Sequence, residues 1–290
     1  MFRRIAGLLL AAAALALVVS GFAGASTPTL KKVPSIAKLV PAKVRSKGTV
    51  IVASDATYAP MEFIASNGKT VVGVDADLAK AIGTVLGLNF KVQNATFSTI
   101  IPGLHSGKYD VGMSSFTPTI AREKVVDFVT YFQAGMGFYT KATGAPKVTT
   151  LASLCGLSVA VESTTTEQAA AQAQSKKCTK AGKKAVKVSP FGTQTEANLA
   201  VSSGRAQVGF ADSEVVDYIV KQSHGRFKLA GKPFAFLPYG IALPKGNGMA
   251  KPVLAAVKYL MKQGTYMQVL RKWSVESGAI SNPRINGATS

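Results

Sequence analysis

The chain is poor in the residues that build metal centres, redox pairs and nucleophile–base sets. Of its 290 residues, two are cysteine, two histidine and one tryptophan. His105 and His224 stand alone without the spacing of zinc ligands, which argues against a metal site. No cofactor motif is present. Gly68-Lys69-Thr70 superficially looks like a phosphate loop, but no glycine stands five residues before Gly68. Beyond the N-terminal stretch, no apolar run reaches the roughly 18 residues that a membrane-spanning helix needs. Acid is scarce as well: 14 Asp and Glu face 34 Lys and Arg, for a net charge of +20. No Arg-rich or aromatic-interleaved stripe accompanies that charge, so nucleic acid is not the expected partner.

The N-terminus sets the compartment. Arg3 and Arg4 precede an apolar run from Ile5 to Val19, and Ala23-Gly-Ala25 then supplies an A-x-A cleavage pattern before Ser26. That is the pattern of a secretory signal peptide over residues 1–25, and it predicts export to the periplasm or another extracytoplasmic envelope space. The remaining 265 residues suggest two domains. Cys155 and Cys178 are either two free buried thiols or a bridge closing 24 residues. Export favours the bridge, worth roughly 3 kcal/mol.

The stretch from Ser26 to Lys47 has six basic residues between Lys31 and Lys47, no acid, and Pro28, Pro34 and Pro41. The composition predicts a basic, extended leader over 26–47. The remaining +12 is spread thinly over residues 48–290 and reads as solvated lysine.

From Thr49 onward, strand-like and helix-like segments alternate, the signature of an α/β protein. Val50–Ala53, Phe90–Val92 and Val111–Met113 read as strands; Asp75–Leu86 reads as a helix stopped by Gly87, and Phe97–Leu104 as a helical turn. Phe138–Thr140 leads into Lys141–Pro146, a composition break that predicts a crossing between domains. A second set follows, with strands at Ser158–Val161, Val186–Val188 and Val208–Phe210. Its helices are predicted at Thr166–Lys177, Glu196–Ser202 and Glu214–Gln222. Ala235–Leu243 runs back extended, and the helices Met249–Gln263 and Thr265–Trp273 should pack on the first domain. The lobes are thus 48–140 with 240–290, and 141–239.

The segment from Ser114 to Arg122 gathers hydroxyls and a guanidinium across a strand end, a turn and a helix start. Thr117 before Pro118 predicts an N-cap with proline at the first helical position. Free backbone N–H groups beside the planar fork of Arg122 read as a receptor for a small anion, most simply a carboxylate.

An ordered series of motifs surrounds this segment. It runs Asp55-Ala-Thr-Tyr58-Ala-Pro60-Met-Glu62-Phe63, Gly73-Val-Asp75-Ala-Asp77-Leu78-Ala79 and Ile101-Pro102-Gly-Leu104-His-Ser-Gly107-Lys-Tyr-Asp110. It continues through Met113-Ser-Ser-Phe-Thr117, Arg122-Glu123 and Val126-Asp127-Phe128. From Thr49 to Ser274 the chain resembles the family 3 solute-binding proteins, the amino-acid receptors of bacterial ABC importers. The resemblance implies a type II periplasmic-binding-protein fold, two α/β lobes joined by two hinge crossings. It also implies a monomer that closes on one free amino acid and delivers it to a membrane permease, without cofactor.

By the same resemblance, Arg122 takes the α-carboxylate, assisted by Ser115, Thr117 and the motif Thr164-Thr165-Thr166-Glu167. Asp212 takes the α-ammonium together with Ser114, while Asp55, Tyr58 and Phe97 line the side-chain pocket. Structural roles compete for some of these: an N-cap for Asp212, plain core packing for Tyr58 and Phe97, and a loop brace for Glu62. Glu162 stands where an apolar residue is common and Glu167 where glutamine is common. If both face the cleft beside Asp55, a cationic or strongly polar amino acid is favoured. Two other functions fit the same fold, a cyclohexadienyl dehydratase using Glu162 or Glu167 as general acid, and a sensor module without transport.

Overall fold

The computed structural model describes residues 30–288. The stretch 1–25 expected to be a signal peptide, the first four residues of the leader and the last two residues of the chain lie outside them. The described part of the leader is not extended. It forms two short helices, α1 (Pro34–Ala37) and α2 (Ala42–Lys47), with Pro34 at the favoured first position. Val33, Ile36, Ala37 and Val40 recur at helical spacing, and the Val33 amide bonds the Val85 carbonyl at 2.9 Å. Ala37 and Val40 are buried, so the apolar stripe holds this stretch against the body despite its lysines.

Strand β1 (Thr49–Ser54) follows, then a small antiparallel sheet of β2 (Thr57–Tyr58), β3 (Glu62–Ile64) and β4 (Val71–Val72). Helix α3 (Val74–Leu86) buries Leu78, Ile82, Val85 and Leu86, and stops at Gly87, whose φ of +69° suits glycine. Strand β5 (Asn89–Asn94), helix α4 (Phe97–His105) and strand β6 (Val111–Phe116) complete the first βα set. The next helix, α5 (Ile120–Glu123), starts later than the sequence suggested. Its cap is Thr119, whose Oγ1 accepts from the Arg122 amide at 3.2 Å, and not Thr117. The Thr119 hydroxyl takes the Arg122 amide while the Thr117 carbonyl accepts from Arg122 Nη1 at 2.8 Å, so the cap lies two residues on and Thr117 stays outside the helix.

Strand β7 (Val126–Lys141) is one continuous strand, where the sequence suggested only its end at Phe138–Thr140. A 3-10 turn at Leu151–Leu154 then leads to β8 (Ser158–Glu162), α6 (Thr166–Lys180), β9 (Lys187–Phe191) and α7 (Gln194–Ser202). Strand β10 (Val208–Asp212), α8 (Ser213–Gln222) and the long β11 (Phe227–Pro244) follow. Cys155 and Cys178 form the disulfide, with Cα atoms 5.6 Å apart, tying the 3-10 turn to α6.

The large sheet has the order β5-β1-β6-β11-β7-β10-β8-β9. Parallel strands lie on either side of the antiparallel pair β7 and β11. β6 pairs with β11 over Gly240–Ala242, whereas β10 pairs with β7 over Met136–Thr140. Between those stretches the β7–β11 register shifts repeatedly, from Ala230 to Gly240. Two lobes, each with its own sheet flank and helices, are therefore joined through two long strands.

The C-terminal helices α9 (Ala250–Lys262) and α10 (Thr265–Lys272) pack against α3. Lys272 Nζ and Trp273 Nε1 meet Asp77 Oδ2 on α3 at 2.6 and 2.9 Å. The tail then runs beside β7: Thr130 N donates to Arg284 O, and Asn286 N to Phe128 O, both at 2.9 Å. The Ala288 amide donates to Glu123 Oε1 at 2.9 Å, next to Arg122.

Candidate functional site

In a sheet of parallel strands, ligands sit outside the carboxyl ends of the strands. Here those ends carry the candidate residues. Asp55 follows β1, Thr117 follows β6, Glu162 ends β8 and Asp212 ends β10. Helices α4, α6 and α8 begin at Phe97, Thr166 and Ser213, so their N-terminal amides lie on the same side. The Asp55 carboxylate occupies the start of α4, its Oδ2 accepting from the Phe97 amide at 2.7 Å.

Arg122 is held by both lobes. Its Nη1 donates to the Thr117 carbonyl at 2.8 Å and its Nη2 to the Thr164 carbonyl at 2.9 Å. The guanidinium lies 5.4 Å from the Phe97 ring centre and 5.5 Å from that of Phe116, over two rings stacked 4.6 Å apart. Burial pulls its pKa down, while Glu167 and Asp212 counter that pull. Thr165 caps α6 through Gln168 N at 3.2 Å, and Thr166 Oγ1 donates to Glu167 Oε2 at 3.1 Å.

Asp212 is the acidic counterpart. It sits at the N-cap position of α8, yet its side chain makes no capping bond. Instead Tyr58 OH donates to Asp212 Oδ2 at 2.9 Å and accepts from the Asp212 amide at 3.0 Å, spanning the two lobes. A second span runs from the Gln194 amide to Thr57 Oγ1 at 3.2 Å, and Thr57 Oγ1 donates to Asp55 Oδ1 at 2.6 Å. Behind them Ser114 Oγ accepts from the Asp55 amide at 2.8 Å and donates to Glu62 Oε1 at 3.0 Å. Ser115, at φ +50°, donates through Oγ to Glu62 Oε2 at 3.3 Å and through its amide to Asp75 Oδ2 at 3.0 Å.

Burial raises every carboxyl of the cleft, and in each close pair one member raises the other further. Burial and then Asp75 push Glu62 well above the carboxylate range, and burial pushes Asp75 up to about 6. Asp55 is raised by burial, opposed by its bonds from Thr57 and Phe97. Burial and then Asp55 raise Glu162 strongly; burial and then Glu167 raise Asp212 strongly. Glu167 is raised by burial and drawn back in part by Arg122.

The structure brings Asp55, Tyr58, Phe97, Ser114, Ser115, Thr117, Arg122, Thr165, Thr166, Glu167 and Asp212 around one cleft between the lobes. Tyr58 and Phe97 are buried, and both face this cleft besides packing. Glu162 and Glu62 join the lining. Glu62 does brace its loop through the two serines, but it also reaches the cleft, and its place in the Asp55–Phe63 motif was the only sequence signal for that. Thr57 and Gln194, the second lobe-spanning contact, had no sequence signal. About 300 Å³ of atom-free space, part of it open to solvent, lies between the cleft walls.

A profile of bacterial extracellular solute-binding proteins, family 3, matches residues 50–276. The chain belongs to that family. It is 31% identical over 255 residues to the arginine-binding protein ArgT of Corynebacterium glutamicum, covering 88% of this chain and 83% of that protein. Among solved structures, it is similar to an ancestral arginine-binding protein bound to arginine. That match has 37% identity and a TM-score of 0.72, over 78% of this chain and 98% of the other. It is also similar to an ancestral amino acid-binding protein described as a precursor of cyclohexadienyl dehydratase. Identity there is 34% and the TM-score 0.72, over 80% of this chain and 97% of the other. These family 3 relatives are named as binding proteins, and the two-lobed fold is the type II periplasmic-binding-protein fold. Among the described residues no helix is long and apolar enough to cross a membrane.

Proposed function

We propose that this protein captures a free amino acid, cationic or strongly polar in its side chain, by closing its lobes, and delivers it to an ABC permease. The single observation that carries the reading is Arg122 and Asp212 lining one cleft from opposite lobes. A zwitterion has one charge of each sign several ångströms apart, and both must shed water as the cleft narrows. Charge-assisted bonds to a fixed guanidinium and a fixed carboxylate offset that loss only when the lobes meet. Binding is thereby coupled to closure.

In this reading Arg122 holds the α-carboxylate with Ser115, Thr117, Thr165 and Thr166, and Asp212 holds the α-ammonium with Ser114. Asp55, Tyr58, Phe97 and Glu167 line the remainder. Five carboxyls, Asp55, Glu62, Glu162, Glu167 and Asp212, line the cleft with one guanidinium, an imbalance that an extra cationic group on the ligand relieves. The names of the arginine-binding relatives support the same preference. The protein works as a monomer outside the cytoplasmic membrane, after removal of residues 1–25. We place the lobe crossings inside β7, ahead of Met136, and inside β11, between Ala230 and Gly240, where the sheet pairing changes and the register shifts.

Native mass spectrometry of the mature protein, followed by a thermal-shift screen over the common amino acids, tests the reading. An arginine or lysine shift larger than that of leucine supports it. No shift with any amino acid, or tighter binding of leucine than of arginine and glutamine, overturns it. A ligand recovered chemically unchanged separates this function from a dehydratase.

A further inference from the structure

Two carboxyls from opposite lobes, Asp55 and Glu162, wall one part of the cleft. They are held very differently. Asp55 Oδ1 accepts from the Thr57 hydroxyl at 2.6 Å and the Thr57 amide at 3.2 Å, and Oδ2 from the Phe97 amide at 2.7 Å. Three fixed donors stabilise a charge there. Glu162 is only 3% exposed, and its Oε1 has no hydrogen-bond partner among the described residues. A buried carboxylate oxygen without a donor is costly, and either a proton or a cationic donor removes that cost.

We propose, resting on the amino-acid reading above, that Glu162 is the residue that reads side-chain charge. A guanidinium or ammonium group enters between Glu162 and Asp55, and the proton that Glu162 held leaves to the solvent. Uptake of a cationic amino acid then releases a proton, whereas uptake of a neutral one does not.

Other groups around the cleft do not fill this role. Glu167 also has an unpartnered oxygen, but its second oxygen takes the Thr166 hydroxyl and its charge is drawn out by Arg122. Asp212 is engaged by Tyr58 and stands where the α-ammonium is placed. The groups that face Glu162 are Asp55, Glu167, Asp212 and Tyr58, and the carboxyls among them all push its proton affinity the same way. Asp55, by contrast, accepts from three fixed donors, so of the two it is the one held in its charged form. The sign follows. The free protein holds a proton that the complex lacks, so affinity for a cationic ligand rises with pH up to the pKa of Glu162, approaching tenfold per unit.

The test is titration calorimetry with arginine and its uncharged isostere citrulline, in two buffers of different ionisation enthalpy. Wild-type protein is expected to release about one proton with arginine and none with citrulline. Glu162→Gln is expected to abolish the release and weaken arginine ~10–100-fold, leaving citrulline within ~3-fold. Equal weakening of both ligands, or proton release that survives the substitution, overturns the assignment while leaving the amino-acid reading intact. Wild-type protein that binds neither ligand overturns both. The wild-type buffer comparison needs no variant, so a Glu162→Gln protein that fails to fold does not shield the idea: equal proton release with both ligands refutes it alone.

Discussion

Tyr58→Phe removes one oxygen from the middle of the lobe interface. That oxygen donates to Asp212 Oδ2 at 2.9 Å and accepts from the Asp212 amide at 3.0 Å, in a buried position. Phenylalanine keeps the ring and its packing. In the closed form the change leaves a carboxylate oxygen short of a donor and an amide short of an acceptor, at about 1–3 kcal/mol for an orphaned buried group. When the lobes part, water reaches both groups and the cost disappears. The substitution therefore penalises closure, and affinity should fall ~10–100-fold, at about 1.4 kcal/mol per factor of ten. Titration calorimetry with arginine measures it, alongside thermal unfolding of the ligand-free protein. Wild-type affinity in the variant would refute the reasoning. So would an equally large loss of ligand-free stability, because the bond would then hold the resting fold and not the closed state.

Three further outcomes are expected. Arg122→Ala leaves a ligand carboxylate unpaired in a buried cleft, and calorimetry should show a loss on the order of 2–5 kcal/mol of affinity. Replacing Cys155 and Cys178 by serine frees the chain between the 3-10 turn and α6, and urea denaturation should show roughly 3 kcal/mol less stability, with ligand affinity nearly unchanged. Glu214 is raised by burial from its ordinary 4.5 to about 7 in the folded protein. A pKa raised by folding adds stability that is full below the unfolded value and is lost as pH rises through about 7. Glu214→Gln should accordingly flatten the fall in stability between pH 5 and 7.5 in denaturation curves; an unchanged slope would count against the shift.

Much of the fold could be read because local signals agreed with one another. The apolar runs of β1, β8 and β10 are short and bounded, and α3 shows helical periodicity closed by Gly87. The long β7 was hidden for a physical reason. It lies at the sheet centre, buried on both faces for most of its length, so it shows no alternation, and Gly135 and Gly137 look like breaks. In the leader, lysine density masked a stripe at Val33, Ile36, Ala37 and Val40 that composition alone does not weigh. The cleft residues were legible because the motifs fall on the loops that follow parallel strands. The direction of Glu162 was not, since a strand's last residue can face either side and a single-residue change of register reverses it. The lobe-spanning bonds of Tyr58 and Thr57 join residues more than a hundred positions apart, beyond the reach of any local pattern.

The tail that runs beside β7 has a consequence for biosynthesis. A ribosome or translocation channel that delivers the chain from its N-terminus presents β8 to α8 as one uninterrupted stretch. The other half still lacks the end of β11, both final helices and the residues that bond Phe128, Thr130 and Glu123. The half that begins first is thus finished last. A nascent chain truncated before residue 284 should emerge with the neighbourhood of its key arginine unbraced.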